Sequence, residues 1–262
     1  MSPQSPPARH EQTAPSTPTA RDGAPASPLR FGYGTNGLAD LRLDDALGLL
    51  ADLGYDGVGL TLDHMHLDPL APELAARTRR LAHRLDALGL GVTVETGARY
   101  VLDPRRKHGP SLLDPDPGDR ARRTDLLLRA VRVAADLGAH AVHCFSGITP
   151  PGTDEETAWK RLAESLAPVL EAAAGSGVPL AVEPEPGHLL AGDGEIDFPP
   201  VLDALAATGY QGLTVVELPR HSHAGPHFAE RSLPFLRRAA TATSRTTRSG
   251  EPSDTPGREP HP

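Results

Sequence analysis

The sequence predicts an α/β fold in which about six parallel strands alternate with six helices. Amphipathic helical segments alternate with short, strongly apolar segments along residues 29–240. Most joints between them carry a glycine, and polar residues gather just after the apolar segments. Apolar strands separated by helices are typical of a parallel sheet that helices cover.

The glycine-containing joints give the strand positions. Each glycine suits a left-handed helix cap that leads directly into a strand. An opening strand near 29–34 brings the number of predicted strands to six. The joints are DLGYDGVGL (52–60), ALGLGVTVE (87–95), DLGAHAVHC (136–144), AGSGVPLAVE (174–183) and ATGYQGLTVVE (207–217).

The helices are predicted from apolar residues that recur every three or four positions. In 155–174, for example, the residues Trp159, Leu162, Leu166, Val169 and Leu170 form one stripe, which we expect to face the sheet. In 70–90 the stripe begins at Leu70. The predicted helices are 43–53, 70–90, 121–137, 155–174, 200–208 and 227–239.

Two arrangements of such a sheet are possible, a TIM-type (β/α) barrel and an open doubly wound sheet. No GxGxxG follows the first strand and no GxxxxGK[ST] occurs, which disfavours a nucleotide-binding open sheet. Polar residues follow many of the strands, as in TIM barrels, whereas open sheets bind ligands mostly around one switch point. A closed barrel normally has eight strands and about 250 residues, so six strands predict an incomplete barrel.

The two ends of the chain differ in composition from the middle. Residues 1–28 are rich in Pro, Ser, Thr and Ala, and 241–262 contain no large apolar residue. Neither segment can bury enough apolar surface to offset its ordering entropy, so we expect two disordered tails around one domain at 29–240.

Charge and cysteine content exclude several classes of protein. The net charge of −8 disfavours non-specific binding to nucleic acid. The single cysteine, Cys144, excludes a disulfide framework, and its apolar surroundings predict that it is buried. No segment reaches the ~18 apolar residues of a membrane span, and the N-terminus lacks the features of a secretion signal. We therefore expect a cytoplasmic protein.

Acidic residues end two of the predicted strands. VPLAVEPEPGH (178–188) places Glu183 and Glu185 at a strand end and His188 shortly after them, and LTVVELPR (213–220) ends in Glu217. Carboxylates at the ends of buried strands are costly unless they are paired or bind a metal.

These segments, with FGYGTNGL (31–38) and VTVETG (92–97), resemble the xylose isomerase-like TIM barrels. That superfamily includes sugar and sugar-phosphate isomerases and epimerases, inosose dehydratase-like enzymes and type IV endonuclease-like repair enzymes. The resemblance covers about residues 30–238. It implies a divalent cation (Mn, Mg or Zn) at the carboxyl face of the barrel, with four protein ligands.

Only two of those four ligands have a match in this chain. Glu183 matches the ligand at the end of the fifth strand and Glu217 the one at the end of the eighth. After His188, the chain continues with a segment, GDGEIDF (192–198), that in relatives precedes the seventh helix. The resemblance therefore implies that the fifth helix, sixth strand, sixth helix and seventh strand are absent. Sixfold closure and a homodimer that completes the barrel both remain open.

The function that the resemblance implies is isomerisation or epimerisation of a sugar or sugar phosphate. A metal would polarise the substrate carbonyl, and a carboxylate would move a proton between carbons. Glu183 and Glu217 are candidate ligands and bases, and Glu185 and Glu95 are alternative bases or members of structural ion pairs.

Several other residues are candidate substrate contacts. His64 and His66 are candidates for substrate lining or metal ligation, or are solvated loop residues. His143 is a substrate contact or a core histidine, and His188 is a further candidate. Arg220 is a candidate for binding a phosphate or carboxylate, since it follows the last strand.

Two alternatives to a sugar isomerase remain. One is a catalytically impaired homologue, shortened by an internal deletion, that binds a small molecule or a partner or is inactive. The other is a metal-dependent phosphodiester hydrolase like the type IV endonucleases, which the acidic charge and the shortage of ligands disfavour.

Overall fold

Six parallel strands form a single sheet in the computed structural model, which describes residues 29–97, 99–183 and 197–246. The order across the sheet is β5-β4-β3-β2-β1-β6. The strands are β1 (Arg30–Gly34), β2 (Gly57–Thr61), β3 (Gly91–Glu95), β4 (Val142–Phe145), β5 (Leu180–Glu183) and β6 (Leu213–Val216).

Helices connect the strands and cover the outer face of the sheet. Short 3₁₀ segments, Thr35–Leu38 and Pro219–Ala224, follow β1 and β6. The α-helices of the described ranges are α1 (Leu43–Leu53), α2 (Leu74–Leu88), α3 (Pro117–Leu137), α4 (Glu155–Ser176), α5 (Phe198–Ala207) and α6 (Gly225–Thr246). The prediction of an α/β fold with six strands and six helices is confirmed.

The sheet curls into a half-barrel instead of closing. The last strand, β6, pairs in parallel with β1, and β5 lies at the opposite edge. The fifth and last strands therefore do not pair with each other in the described part of the chain. This confirms the incomplete TIM-type barrel that the sequence predicts.

Glycines on β1 and β2 allow the tight curl. A Cβ atom added at Gly32 or Gly57 would lie only 2.9 or 2.7 Å from Cδ2 of Leu213, on β6. At Gly59 an added Cβ would lie 2.8 Å from Cγ1 of Val215. Side chains of β6 thus reach across β1 to β2, which is possible only because these positions carry no side chain.

The helix-to-strand joints form as predicted. Gly54 ends α1 with a φ of 85° and its N–H donates to carbonyl groups of the last turn. Gly138 does the same after α3, with a φ of 61°. L-residues with a side chain rarely adopt this left-handed conformation, so glycine lets each helix stop and turn into the next strand.

The predicted stripe on α4 is only partly correct. Leu166 and Val169 are buried, but Trp159 and Leu170 are 63% and 53% exposed. In the described part of the chain, α4 packs mainly against α3, and it connects β4 to β5, which lies at an edge of the sheet. The stripe is therefore wider than the surface that is available to cover it. Leu70 is also exposed, and it precedes α2.

The sequence also makes predictions for the single cysteine, for membrane-spanning helices and for the two tails. Cys144 is buried and free, as its apolar surroundings predict. None of the helices in the described ranges combines the length and the apolar character that crossing a membrane requires. The predicted tail 1–28 lies outside the described residues, as do residues 247–262 of the second tail. Residues 241–246, which the sequence assigns to that tail, instead continue the helix α6.

Candidate active site

Polar side chains from four strands meet at the carboxyl side of the half-barrel. We call Asn36, Glu95, His143 and Glu217 the polar cluster. Asn36 follows β1, Glu95 ends β3, His143 lies in β4, and Glu217 follows β6. Carboxyl ends of parallel strands converge on one face of a (β/α) fold, which is where such enzymes place their catalytic groups.

Glu217 is held by a residue from the other end of the chain. The Nδ2 atom of Asn36 donates a hydrogen bond to Oε1 of Glu217 at 2.6 Å. Asn36 is only 5% exposed, and the oxygen of its amide, Oδ1, has no hydrogen-bond partner among the described residues. A buried amide that donates to a carboxylate fixes the direction of that carboxylate.

Glu95 and His143 form the second part of the polar cluster. They are paired in register on β3 and β4, and Oε1 of Glu95 lies 3.7 Å from Nδ1 of His143. Burial lowers the pKa of His143 below its usual 6.5, and the negative charge of Glu217 only partly opposes this. His143 is therefore a neutral imidazole at pH 7, and a neutral imidazole can accept or donate a proton in a hydrogen bond.

A buried arginine braces the strands that carry Glu95 and His143. The hydroxyl of Thr96 donates to the carbonyl oxygen of His143 at 2.8 Å, and Arg123 Nη2 donates to the carbonyl oxygen of Thr96 at 2.9 Å. The guanidinium of Arg123 also lies 4.5 Å from the ring centroid of Phe145. Burial lowers the pKa of Arg123 to about 10, so it remains a cation at neutral pH.

The loop between β3 and α3 approaches the same face. Arg99 Nη2 donates to the carbonyl oxygen of Asn36 at 3.5 Å. Further along the loop, the Arg106 guanidinium lowers the pKa of Asp119. Arg106 forms ion pairs with Asp103 at 2.7 Å, with Asp114 at 2.9 Å and with Asp119 at 2.7 Å. These ion pairs tie the loop to the start of α3.

The two histidines after β2 differ in their surroundings. His64 is exposed. His66 is 4% exposed, and its Nε2 atom lies 3.3 Å from the carbonyl oxygen of Leu41. The carboxylate of Asp63 accepts from the backbone N–H of His66 and shapes this turn. His66 thus takes part in the packing of the loop, and a substrate contact by either histidine stays a prediction.

Four of the predicted site residues have side chains that the structure does not describe. Glu185 and His188 lie outside the described residues. Glu183 ends β5, where its backbone pairs with Phe145, and Arg220 lies in the 3₁₀ segment after β6. The side chains of Glu183 and Arg220 are outside the description, so their roles stay predictions.

The described residues do not form a complete metal site. In the described ranges, no three histidine, cysteine, aspartate or glutamate side chains are grouped closely enough to hold a metal ion. Oε1 of Glu217 is already engaged by Asn36. The described residues alone therefore do not fit a divalent cation, which needs about six ligands, several of them from the protein.

Sequence reasoning did not assign Asn36, Thr96 or Arg123 to the site. Asn36 stands among the polar residues that follow strands, which was the available signal. Arg123 lies within a helix, where an arginine is normally exposed, and only the packing shows that it is fully buried.

Comparison with known proteins agrees with this fold. The sequence profile of the family described as xylose isomerase-like TIM barrel matches residues 47–191, more than half of the chain. No curated protein sequence matches the chain.

Several solved structures resemble the chain. One described as L-ribulose 3-epimerase has a TM-score of 0.65 and 18% identity, and the match covers 87% of this chain and 100% of that one. D-psicose 3-epimerase from Clostridium cellulolyticum H10 has a TM-score of 0.60 and 17% identity, with coverages of 81% and 99%. 3-keto-D-glucoside 4-epimerase from E. coli has a TM-score of 0.58 and 15% identity, and the match covers 80% of this chain and 99% of that one. At such identities the likeness concerns the fold.

Proposed function

The chain belongs to the family of xylose isomerase-like TIM barrels, and on this basis we propose that it is a sugar isomerase or epimerase. The proposed reaction moves a proton next to the carbonyl group of a small, carbohydrate-like substrate. The observation that carries the proposal is the polar cluster. In it the carboxylate of Glu95 lies 3.7 Å from the neutral imidazole of His143, and the charge of Glu217, from another strand, acts on the same imidazole.

The proposed chemistry uses the two carboxylates as acid and base. One carboxylate takes the proton from the carbon next to the carbonyl, and the electron pair of the broken C–H bond forms an enediolate. Return of a proton to the neighbouring carbon gives an isomer, and return to the opposite face gives an epimer. Epimerisation needs an acid–base group on each face, and in this proposal Glu95 on β3 and Glu217 after β6 supply one each.

The other members of the polar cluster support these roles. The amide of Asn36 orients Glu217, so that one carboxylate oxygen has a fixed direction. The neutral imidazole of His143 can donate a hydrogen bond to an oxyanion, as neutral histidines do in other proton-transfer enzymes. Long distances such as the 3.7 Å between Glu95 and His143 are common in unliganded sites and shorten when the substrate binds.

A divalent metal at Glu183 and Glu217 remains a prediction from the family resemblance. When bound, such an ion would polarise the carbonyl group of the substrate. The described residues do not by themselves form its site, and no step above depends on it.

Solvent exchange tests the proposal directly. We expect the full chain, incubated in D₂O with D-psicose, D-tagatose or L-ribulose, to incorporate deuterium next to the carbonyl carbon, as seen by NMR. Each ketose is tested with and without Mn²⁺, Mg²⁺ or Zn²⁺. Glu95→Gln and Glu217→Gln should abolish the exchange, whereas Glu171→Gln, an exposed glutamate on α4, should not. Absence of exchange with every ketose and ion would refute the proposal.

A second candidate is an impaired homologue that binds a small molecule without turning it over. The open sheet supports it, because β5 and β6 lie at opposite edges and the described residues do not form a metal site. Binding of a ketose without deuterium incorporation, measured on the same samples, would favour this candidate.

A further inference from the structure

A surface groove of about 330 Å³ opens beside Trp159, near the start of α4. Leu113 and Leu162 contribute apolar surface to it. Trp159 is the only tryptophan of the chain and is 63% exposed. The volume is at the lower end of the ~300–1,000 Å³ that is usual for small-molecule sites.

The indole ring of Trp159 has a fixed orientation. Its Nε1 atom donates a hydrogen bond to Oε1 of Glu155 at 3.2 Å, one helical turn earlier. The ring is therefore held at one edge, while much of its apolar surface remains in contact with solvent. A large, oriented aromatic face that stays exposed is typical of a binding surface.

Hydroxyl groups and one carboxylate form the rim of the groove. They belong to Ser146, Thr149, Thr153 and Glu155. None of the described side chains that line the groove is cationic. A phosphate or carboxylate would therefore meet the carboxylate of Glu155, while the guanidinium of Arg161 does not line the groove and is bonded to Thr153 and Leu113. An uncharged polyol would find several hydrogen-bond partners.

The wall near Thr153 is itself held in place. Arg161 Nη1 lies 3.4 Å from the hydroxyl oxygen of Thr153 and 3.3 Å from the carbonyl oxygen of Leu113, and donates to both. This arginine links the start of α4 to the loop before α3 and is engaged in that contact.

The groove lies close to the polar cluster along the chain. Ser146 directly follows β4 and is three residues from His143, a span of at most ~11 Å for an extended chain. The groove is thus on the carboxyl side of the half-barrel, at the end of the strand that carries His143.

We propose that this groove is a subsite for an uncharged sugar ring. The apolar face of the ring stacks on Trp159, and its hydroxyl groups bond to the hydroxyls and the carboxylate of the rim. The inference rests on the proposed function, because it takes this ring to be the non-reacting part of the substrate of the proposed isomerase or epimerase. The substrate class is then a neutral glycoside or a disaccharide-like ketose, and not a sugar phosphate.

Fluorescence of the single tryptophan tests the subsite without any turnover. The full chain is titrated with methyl β-D-glucopyranoside, maltose and D-glucose 6-phosphate. We expect a saturable change in emission with the two neutral sugars and at least about fivefold weaker binding of the phosphate, because Glu155 repels it. No saturable change up to ~100 mM, or equal binding of the phosphate, would overturn the proposal.

Variants separate the groove from the uncovered flank of α4. Trp159→Ala should weaken maltose binding about tenfold by ligand-observed NMR, since one aromatic contact is lost. The matched control is Leu170→Ala, which removes another exposed apolar side chain three turns further along α4 and should leave binding unchanged. Unchanged binding by Trp159→Ala would exclude the subsite. Emission that depends on protein concentration without sugar would assign the surface to a second copy of the chain instead.

The two proposals fail in different ways. Binding of neutral sugars without deuterium exchange would support the subsite and contradict the proposed function. Deuterium exchange with an unchanged KM for glycosides in Trp159→Ala would support the function and exclude the subsite.

Discussion

Asn36 Nδ2 and Glu217 Oε1 lie 2.6 Å apart, although 181 residues separate them in the chain. The contact joins the second residue after β1 to the residue directly after β6. It exists because β1 and β6 pair in parallel and end at the same level of the sheet. The two strands thereby deliver a carboxylate and the amide that orients it to one place.

Removal of the Asn36 amide should leave the Glu217 carboxylate without a fixed orientation and lower its contribution to catalysis. We expect Asn36→Ala to lower kcat/KM for ketose epimerisation by about 10–100-fold, because a hydrogen bond to a charged group contributes ~1.5–3 kcal/mol. Thr35→Ser keeps the neighbouring hydroxyl that accepts from Thr61 N–H, and it serves as the control. An Asn36→Ala protein with the same kcat/KM as the original chain would show that the contact has no role in catalysis.

The stability of the fold should fall on mild acidification. Burial lowers the pKa of His143, and burial together with Arg30 lowers that of His140. Below about pH 6.5 the unfolded chain therefore binds more protons than the folded one, so the free energy of unfolding decreases until the folded pKa is passed.

Urea denaturation at pH 7.5 and pH 5.5 measures this effect. The loss of stability between the two values should be smaller in His143→Gln and in His140→Gln than in the original chain. The exposed His64 provides the control, because its substitution by Gln should leave the difference unchanged. An equal loss of stability in all of these proteins would show that His143 and His140 do not cause the pH dependence.

Arg123 should contribute to stability mainly through the space that it fills and its bond to Thr96. The side chain is fully buried, and its Nε and Nη1 atoms have no hydrogen-bond partner among the described residues. We expect Arg123→Ala to lower the free energy of unfolding by ~3 kcal/mol or more, because it leaves a cavity and an unpaired carbonyl group.

Arg123→Met should cost less than Arg123→Ala, since it keeps most of the volume and removes a buried charge without a described carboxylate partner. Chemical denaturation of both variants gives the comparison. If methionine proved as costly as alanine, the charge and its contact with Phe145 would matter more than the volume.

Metal binding through Glu183 and Glu217 can be tested apart from activity. If the family ligands act here, Mn²⁺ should raise the melting temperature of the full chain by preferential binding to the folded state. Glu183→Gln and Glu217→Gln should each remove that shift, and Glu171→Gln should retain it. Less than about 0.2 equivalents of bound metal after loading, with no thermal shift, would contradict the metal prediction.

The sequence was sufficient for features that depend on neighbouring residues. Helical periodicity, apolar strand segments and glycine joints are local properties, so they predicted six strands, six helices and an incomplete barrel. Burial of Cys144 followed from its apolar neighbours in the same way. The acidic strand ends also mark Glu95 and Glu217 as candidate site residues, and their roles stay predictions.

Only the tertiary structure decided which of these residues meet. The contact of Asn36 with Glu217 and the pairing of Glu95 with His143 depend on strand order and on the curl of the sheet. The burial of Arg123 and the exposure of Trp159 depend on which flank of a helix another element covers. Sequence periodicity gives the apolar face of a helix but does not show how much of that face another element covers. Contacts between residues that are distant in sequence arise only when the strands pair.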